Sequence, residues 1–377
     1  MKFSKVEALI DSMPIRGIPF FDLRVTRRGK TVYQRAAGYT DANATKPIDD
    51  RALYWLYSTS KLFTCTAAMR LVQEKKLQLD DPVAKYIPTF QNLTVRQEKG
   101  DPIPAKTVLT VKHLFTMTAG IGPDHECAPV VKAACAVPGA TTLDVVSIFP
   151  QVPLYFEPGT HFRYGFCHDT LAAVVEVASG MRFSDYIHKI ILDPLEMHDT
   201  GFRPTEEQMA RFAETYCYDN SNGTSHLIPT VNSLILTPDY DSGGAGLFSC
   251  AKDYIKFVTA LACNGKTPNG YQLLLPETIA QMEVNHLCPD ALRDFVTGRL
   301  HGYGWGLCGR VHINPDYSLS KSSVGEFGWD GAGGCFAMVD RASETAIFYG
   351  MQVMGCTYSY IILQPLIRSL VFEALDS

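Results

Sequence analysis

The chain has 377 residues, 46% of them hydrophobic and 19% charged, with a formal net charge of -5; that is length enough for a substantial core in one large or two interlocked domains. No basic stripe or Lys/Arg cluster stands out, which argues against nucleic acid as a partner, and no apolar run approaches the roughly 18 residues needed to span a bilayer. Eleven cysteines are scattered without a Cys-x-x-Cys pair, several in apolar surroundings, so reduced thiols in a cytoplasmic protein are expected rather than disulfides or a metal site.

Residues 1–12 lack the apolar core and small-residue cleavage site of a secretory signal and read as a short amphipathic helix. Over 18–39, Phe20, Phe21, Leu23 and Val25 precede Arg27-Arg28-Gly29-Lys30, and Val32, Tyr33 and Ala36 follow, which predicts a hairpin of two strands. A polar connection over 41–51 delivers the chain to an aromatic run, Tyr54-Trp55-Leu56-Tyr57, that gives way to Ser58-Thr59-Ser60-Lys61. Leu62, Cys65, Met69 and Val72 then recur at helical steps, so a core-packed helix begins near Ser58.

Residues three apart share a helix face, which sets the Lys61 amine beside the Ser58 hydroxyl. A serine is a poor nucleophile until a neighbouring base takes its proton, and a lysine drawn partly out of water can be that base. The spacing alone is weak evidence, because Ser249/Lys252 and Ser318/Lys321 share it. Only the first pair both follows an apolar aromatic run and opens an amphipathic helix.

From 60 to about 290 helical patterning dominates, interrupted by an irregular polar loop over 92–107 and a short helix over 111–122. His113 in that helix reads as a packed or hydrogen-bonded core residue. Pro158-Gly159-Thr160 turns the chain into a segment carrying His161, Tyr164 and Phe166, then a helix containing His168. Tyr164 at this junction could relay a proton, although spacing alone favours a core tyrosine with a satisfied hydroxyl. His161 and His168 read as surface or supporting groups. The stretch Asp241-Ser242-Gly243-Gly244-Ala245-Gly246-Leu247-Phe248-Ser249 lacks the features of a phosphate loop and reads as close backbone packing before a helix over 252–263. Four strand runs follow at 303–313, 325–329, 333–339 and 345–351, then a closing helix over 360–375.

The expected fold is α+β: an antiparallel sheet built from both chain ends with flanking helices, and a large inserted helical region. Residues 1–60 and 291–377 would form the sheet domain and 61–290 the mainly helical one, with the active site in the groove between them.

With these pieces located, the chain resembles the serine β-lactamase-like superfamily, which includes class C β-lactamases, DD-peptidases and, nearest in motif, family VIII carboxylesterases. Ser58-x-x-Lys61 matches that superfamily's first motif, Tyr164-Gly165-Phe166 falls where Tyr-x-Asn would stand, and Trp329-Asp330-Gly331 falls where Lys-Thr-Gly would stand. The resemblance implies a β-lactamase/transpeptidase-like fold and an acyl-enzyme on Ser58, with Lys61 and Tyr164 managing the proton. It further implies an oxyanion hole from the backbone N–H groups of Ser58 and Ala332, and no cofactor.

The departures from the pattern set the expected substrate. Trp329 replaces the residue that holds a carboxylate, and Phe166 replaces the asparagine that holds an amide, so Phe166, Trp329, Asp330 and Gly331 would shape a site for uncharged esters rather than penicillins. Asp330 is equally readable as a turn-forming residue before glycine. The expected function is a carboxylesterase. Acyl transfer to an alcohol or amine, weak β-lactamase or D-amino-acid amidase activity, and a non-catalytic binding role are the alternatives. Sequence leaves the physiological substrate and the oligomeric state open.

Overall fold

The computed structural model of the chain describes residues 2–122, 127–318 and 320–376. Its centre is a seven-stranded antiparallel sheet. The strands are β1 (Phe20–Arg27), β2 (Lys30–Gly38), β3 (Tyr303–Trp305), β4 (Arg310–His312), β5 (Phe327–Asp330), β6 (Phe336–Asp340) and β7 (Thr345–Gly350). They lie in the order β2-β1-β7-β6-β5-β4-β3. The N-terminal hairpin turns at Arg28 and Gly29, both with positive φ (52° and 71°), the backbone that matches the twist of paired strands. Its inner strand β1 pairs with β7, Leu23 opposite Tyr349, so the two chain ends share one sheet as expected.

Both faces of the sheet are covered. On one, α1 (Ser4–Asp11) and the C-terminal α5 (Gln364–Asp376) bring Phe3 onto Tyr33 at 4.6 Å and Arg368 over the rings of Tyr303 and Phe336. On the other, α4 (Ala251–Ala262) stacks Tyr254 on Phe348 at 4.2 Å. Alternation of side chains along β7 sends Tyr349 to one face and Phe348 to the other, which is why this strand reads as continuously apolar. The helical region packs α2 (Lys61–Gln73) against α3 (Cys167–Ser179).

Several boundaries differ from the sequence reading. The run 303–313 is two strands, because Gly306-Leu307-Cys308-Gly309 turns the chain and Gly306 N–H donates to the Gly309 carbonyl at 2.8 Å. The loop over 92–107 contains a small pair, Thr94–Val95 against Ile103–Pro104. The helix placed at 111–122 ends at Phe115, since Met117 takes a positive φ of 56°. The closing helix opens with a wider turn at Ser359–Leu363. Among the described residues, no helix is long and apolar enough to cross a membrane, and the ten cysteines whose side chains are described are free thiols.

Candidate active site

Ser58 sits in a tight turn, Tyr57–Ser60, at the entry to α2. Tyr57 before it has φ of 47°, a conformation that costs an ordinary residue about 1–3 kcal/mol and persists only where surroundings enforce it. Here they do. Tyr57 is buried with Trp55, Leu53, Phe248 and Cys250, and the backbone on either side is pinned. Trp55 N–H donates to the Gln352 side-chain oxygen at 2.7 Å. Leu56 N–H donates to the Leu247 carbonyl at 2.9 Å, Leu247 N–H donates to Ser60 Oγ at 3.1 Å, and the Tyr254 hydroxyl donates to the Thr59 carbonyl at 2.8 Å.

Lys61, only 3% exposed, points back along the helix. Its Nζ donates to Ser58 Oγ at 3.1 Å and to the Gly244 carbonyl at 2.6 Å, and lies 4.6 Å from the centroid of the Tyr164 ring. Gly244 therefore belongs to the site, a role beyond the close packing that the sequence predicts for 241–249. The packing is real and explains the glycine. A Cβ there would stand 2.5 Å from Asp169 Oδ2, and one at Gly243 would stand 2.4 Å from the His168 carbonyl. Asp169, buried at the start of α3, accepts from the Tyr240 hydroxyl at 2.8 Å and Ser242 Oγ at 2.7 Å, which holds the loop that presents the Gly244 carbonyl.

His168 lies under this group, wholly buried, not at the surface. Burial first, then the Lys61 charge, push its imidazole down to about 3, so the ring is neutral, and Nε2–H donates to the Phe115 carbonyl at 3.2 Å. His161 faces Asp294 at 2.8 Å. His113 Nδ1 accepts from Thr110 N–H at 3.1 Å, a helix cap.

Across a cavity of about 440 Å³ lined by Ser58, Tyr164, Trp329, Asp330, Ala332 and Tyr360 among others, the aromatic side of the site faces the serine. Tyr164 is 37% exposed, and its hydroxyl accepts from the Trp329 indole N–H at 2.9 Å. Trp329 is thus a hydrogen-bond donor as well as an apolar wall; its ring leans on Trp305 at 4.7 Å. Asp330 is not free to meet a substrate amine, because Arg299 forms an ion pair with it. Gly331 meets the serine segment directly: a Cβ there would lie 2.2 Å from the Leu56 carbonyl. That close approach sets the next residue, Ala332, at the cavity beside Ser58. Among the described residues, Ala332 N–H has no main-chain acceptor within the fold. Phe166 stands apart from the cavity lining, packed on Phe149 at 4.9 Å at the head of α3.

The other two Ser-x-x-Lys pairs are not assembled. Ser249 shares a hydrogen bond with Thr200 at 2.7 Å while Lys252 faces Asp50 at 3.7 Å, and Ser318 bonds His312 at 2.7 Å.

The chain is similar to several known proteins. The chain is 28% identical over 339 residues to Protein Rv1367c of Mycobacterium tuberculosis, covering 87% of this chain and 84% of that protein. It is 29% identical over 346 residues to Esterase EstB of Burkholderia gladioli, covering 84% and 82%. Among solved structures, EstCE1, a hydrolase with promiscuous acyltransferase activity, superposes with a TM-score of 0.82 at 23% identity, over 98% of each chain. The model of the family described as Beta-lactamase matches residues 6–356; the chain belongs to the beta-lactamase family.

Proposed function

We propose that the protein is a serine carboxylesterase that cleaves small to medium uncharged esters through an acyl-enzyme on Ser58. The observation that carries this reading is Lys61, whose amine touches Ser58 Oγ and is anchored on the Gly244 carbonyl. Held on that carbonyl and within reach of Ser58 Oγ, Lys61 is placed to take the Ser58 proton as the serine attacks. Ser58 Oγ then bonds to the ester carbonyl carbon, and the negative charge on the carbonyl oxygen is met by the N–H groups of Ser58 and Ala332. Tyr164, beside Lys61, passes the proton to the leaving alkoxide as its C–O bond breaks. Water, activated by the same groups, adds to the acyl carbon and releases Ser58 with the acid.

The likeness to Esterase EstB supports the ester substrate, as does the Trp329 wall in place of a cationic residue. Transfer to an alcohol or amine uses the same acyl-enzyme, and the 27% identity to Acyltransferase calJ of Penicillium decumbens, over 88% of this chain, keeps that second reading beside hydrolysis. The free thiols support a reducing compartment, the cytoplasm.

The test is hydrolysis of p-nitrophenyl butyrate by the wild type and Ser58→Ala, with intact-protein mass spectrometry after fluorophosphonate treatment. The wild type turns over the ester far faster than a chromogenic cephalosporin and gains one adduct, while Ser58→Ala folds, does neither, and loses at least about a thousandfold in rate. Undiminished hydrolysis by Ser58→Ala would sink the assignment. A preference for the cephalosporin would show that Trp329 had been misread.

A further inference from the structure

Tyr360 lies outside the three motifs, on the turn that opens the C-terminal helical segment, and its ring lines the cavity. Its hydroxyl reaches two main-chain oxygens, Ala332 at 2.8 Å and Gly331 at 3.1 Å. The second contact matters because the peptide plane that carries the Gly331 carbonyl also carries the Ala332 N–H, pointing the opposite way. Whatever fixes that carbonyl fixes the direction of that N–H. Gly334 N–H also donates to the Gly331 oxygen, at 2.8 Å, so the carbonyl is held from two sides while the N–H is left toward the cavity. Donors on a carbonyl also polarise its peptide and strengthen the N–H at the other end.

The ring itself is held. Arg299 lies over it, 5.3 Å from the centroid, and the same guanidinium is tied to Asp330 and to the Gln364 side chain. Burial, then the Asp330 carboxylate, raise the phenol well above its usual range, so it remains a donor throughout the pH range of an esterase.

We propose that Tyr360 is a positioning residue that aims the Ala332 N–H at the developing oxyanion, with the Arg299–Asp330 pair holding the Tyr360 ring in place. The proposal rests on the acyl-enzyme reading above. It assigns Asp330 a supporting task in place of a substrate contact.

The test is Tyr360→Phe, which keeps the ring under Arg299 and removes only the hydroxyl. Rates are expressed per site titrated with a fluorophosphonate, so misfolded protein drops out. Removing a direct oxyanion donor costs about a hundredfold or more, and loss of its alignment is expected to cost about tenfold in kcat for p-nitrophenyl butyrate. KM stays within about twofold, the pH profile keeps its limbs, and affinity for a boronic acid, whose adduct places an oxygen in the hole, falls by the same factor as kcat. Unchanged kcat and boronic acid affinity, or a loss confined to KM, overturns the role. A dead Ser58→Ala beside an unimpaired Tyr360→Phe sinks only this inference, whereas an active Ser58→Ala sinks the esterase reading itself.

Discussion

The two walls of the cavity are built by different means. On the nucleophile side, Ser58 and Lys61 are held by buried main-chain contacts: Leu56 on Leu247, Ser60 on Leu247, Lys61 on Gly244. On the facing side, Tyr164, Trp305 and Trp329 form an aromatic group whose rings meet at 4.7–6.1 Å, with a single indole-to-phenol hydrogen bond crossing it. Main-chain contacts fix a group to within tenths of an ångström and tolerate almost no change, whereas aromatic walls can exchange one ring for another at modest cost. On the proposed mechanism the rigid wall carries the nucleophile and its base, and the adaptable one carries the proton relay Tyr164 together with the substrate-facing Trp329.

The largest effect should come from disturbing the rigid wall where it holds Lys61. Gly244→Ala forces a Cβ against Asp169 Oδ2, 2.5 Å away, and displaces the carbonyl that holds Lys61. We expect kcat for p-nitrophenyl butyrate to fall by about a hundredfold per fluorophosphonate-titrated site. A variant within threefold of wild type would show that the Gly244 contact is dispensable. A smaller effect is expected on the aromatic wall. Trp329→Phe keeps a ring but deletes the donor to Tyr164, a hydrogen bond worth about 1 kcal/mol, so kcat should fall several-fold with KM almost unchanged. A rise in KM at constant kcat would mean that the indole acts only as a surface for substrate.

The smallest effect is a control outside both walls. Asp22 on β1 is buried, and burial raises its carboxyl to about 6 against the partial compensation of Arg24. Its folded-state value exceeds the unfolded one, so the folded state binds the proton more tightly; stability is favoured below about 4 and is lost as pH rises toward 6. Asp22→Asn removes that loss and should raise the unfolding midpoint by a few degrees at pH 8 and leave it unchanged near pH 4, with esterase activity preserved. A gain of equal size at both pH values would contradict the assigned cause.

Much of this arrangement was legible in the residues, and what was not shares one physical reason. Periodicity exposed the hairpin, the helix after Ser58 and the apolar strands of the C-terminal part, because each is a local pattern of side chains. The Ser58–Lys61 pair is equally local, one helical turn. Gly244, Gln352 and Tyr360 were missed because they act through main-chain oxygens or amides of residues more than 25 positions away, and a backbone group leaves no mark in a sequence. Phe166 was placed at the substrate because its position in the motif pointed there, yet the head of α3 turns its ring to Phe149. Asp330 gave no sign of Arg299, which sits 31 positions earlier.

The sheet joins strand β1 to β7, and the serine segment reaches Gly331 across a sequence gap almost as long. The site is therefore closed late: no nascent chain that has yet to reach Trp329 and Ala332 holds both walls. Contacts of such sequence separation form slowly, since a long loop must close before they repay it. Labelling of Ser58 by a fluorophosphonate would consequently report the completion of folding as well as catalytic competence, and a refolding experiment read by label uptake should lag one read by helical content.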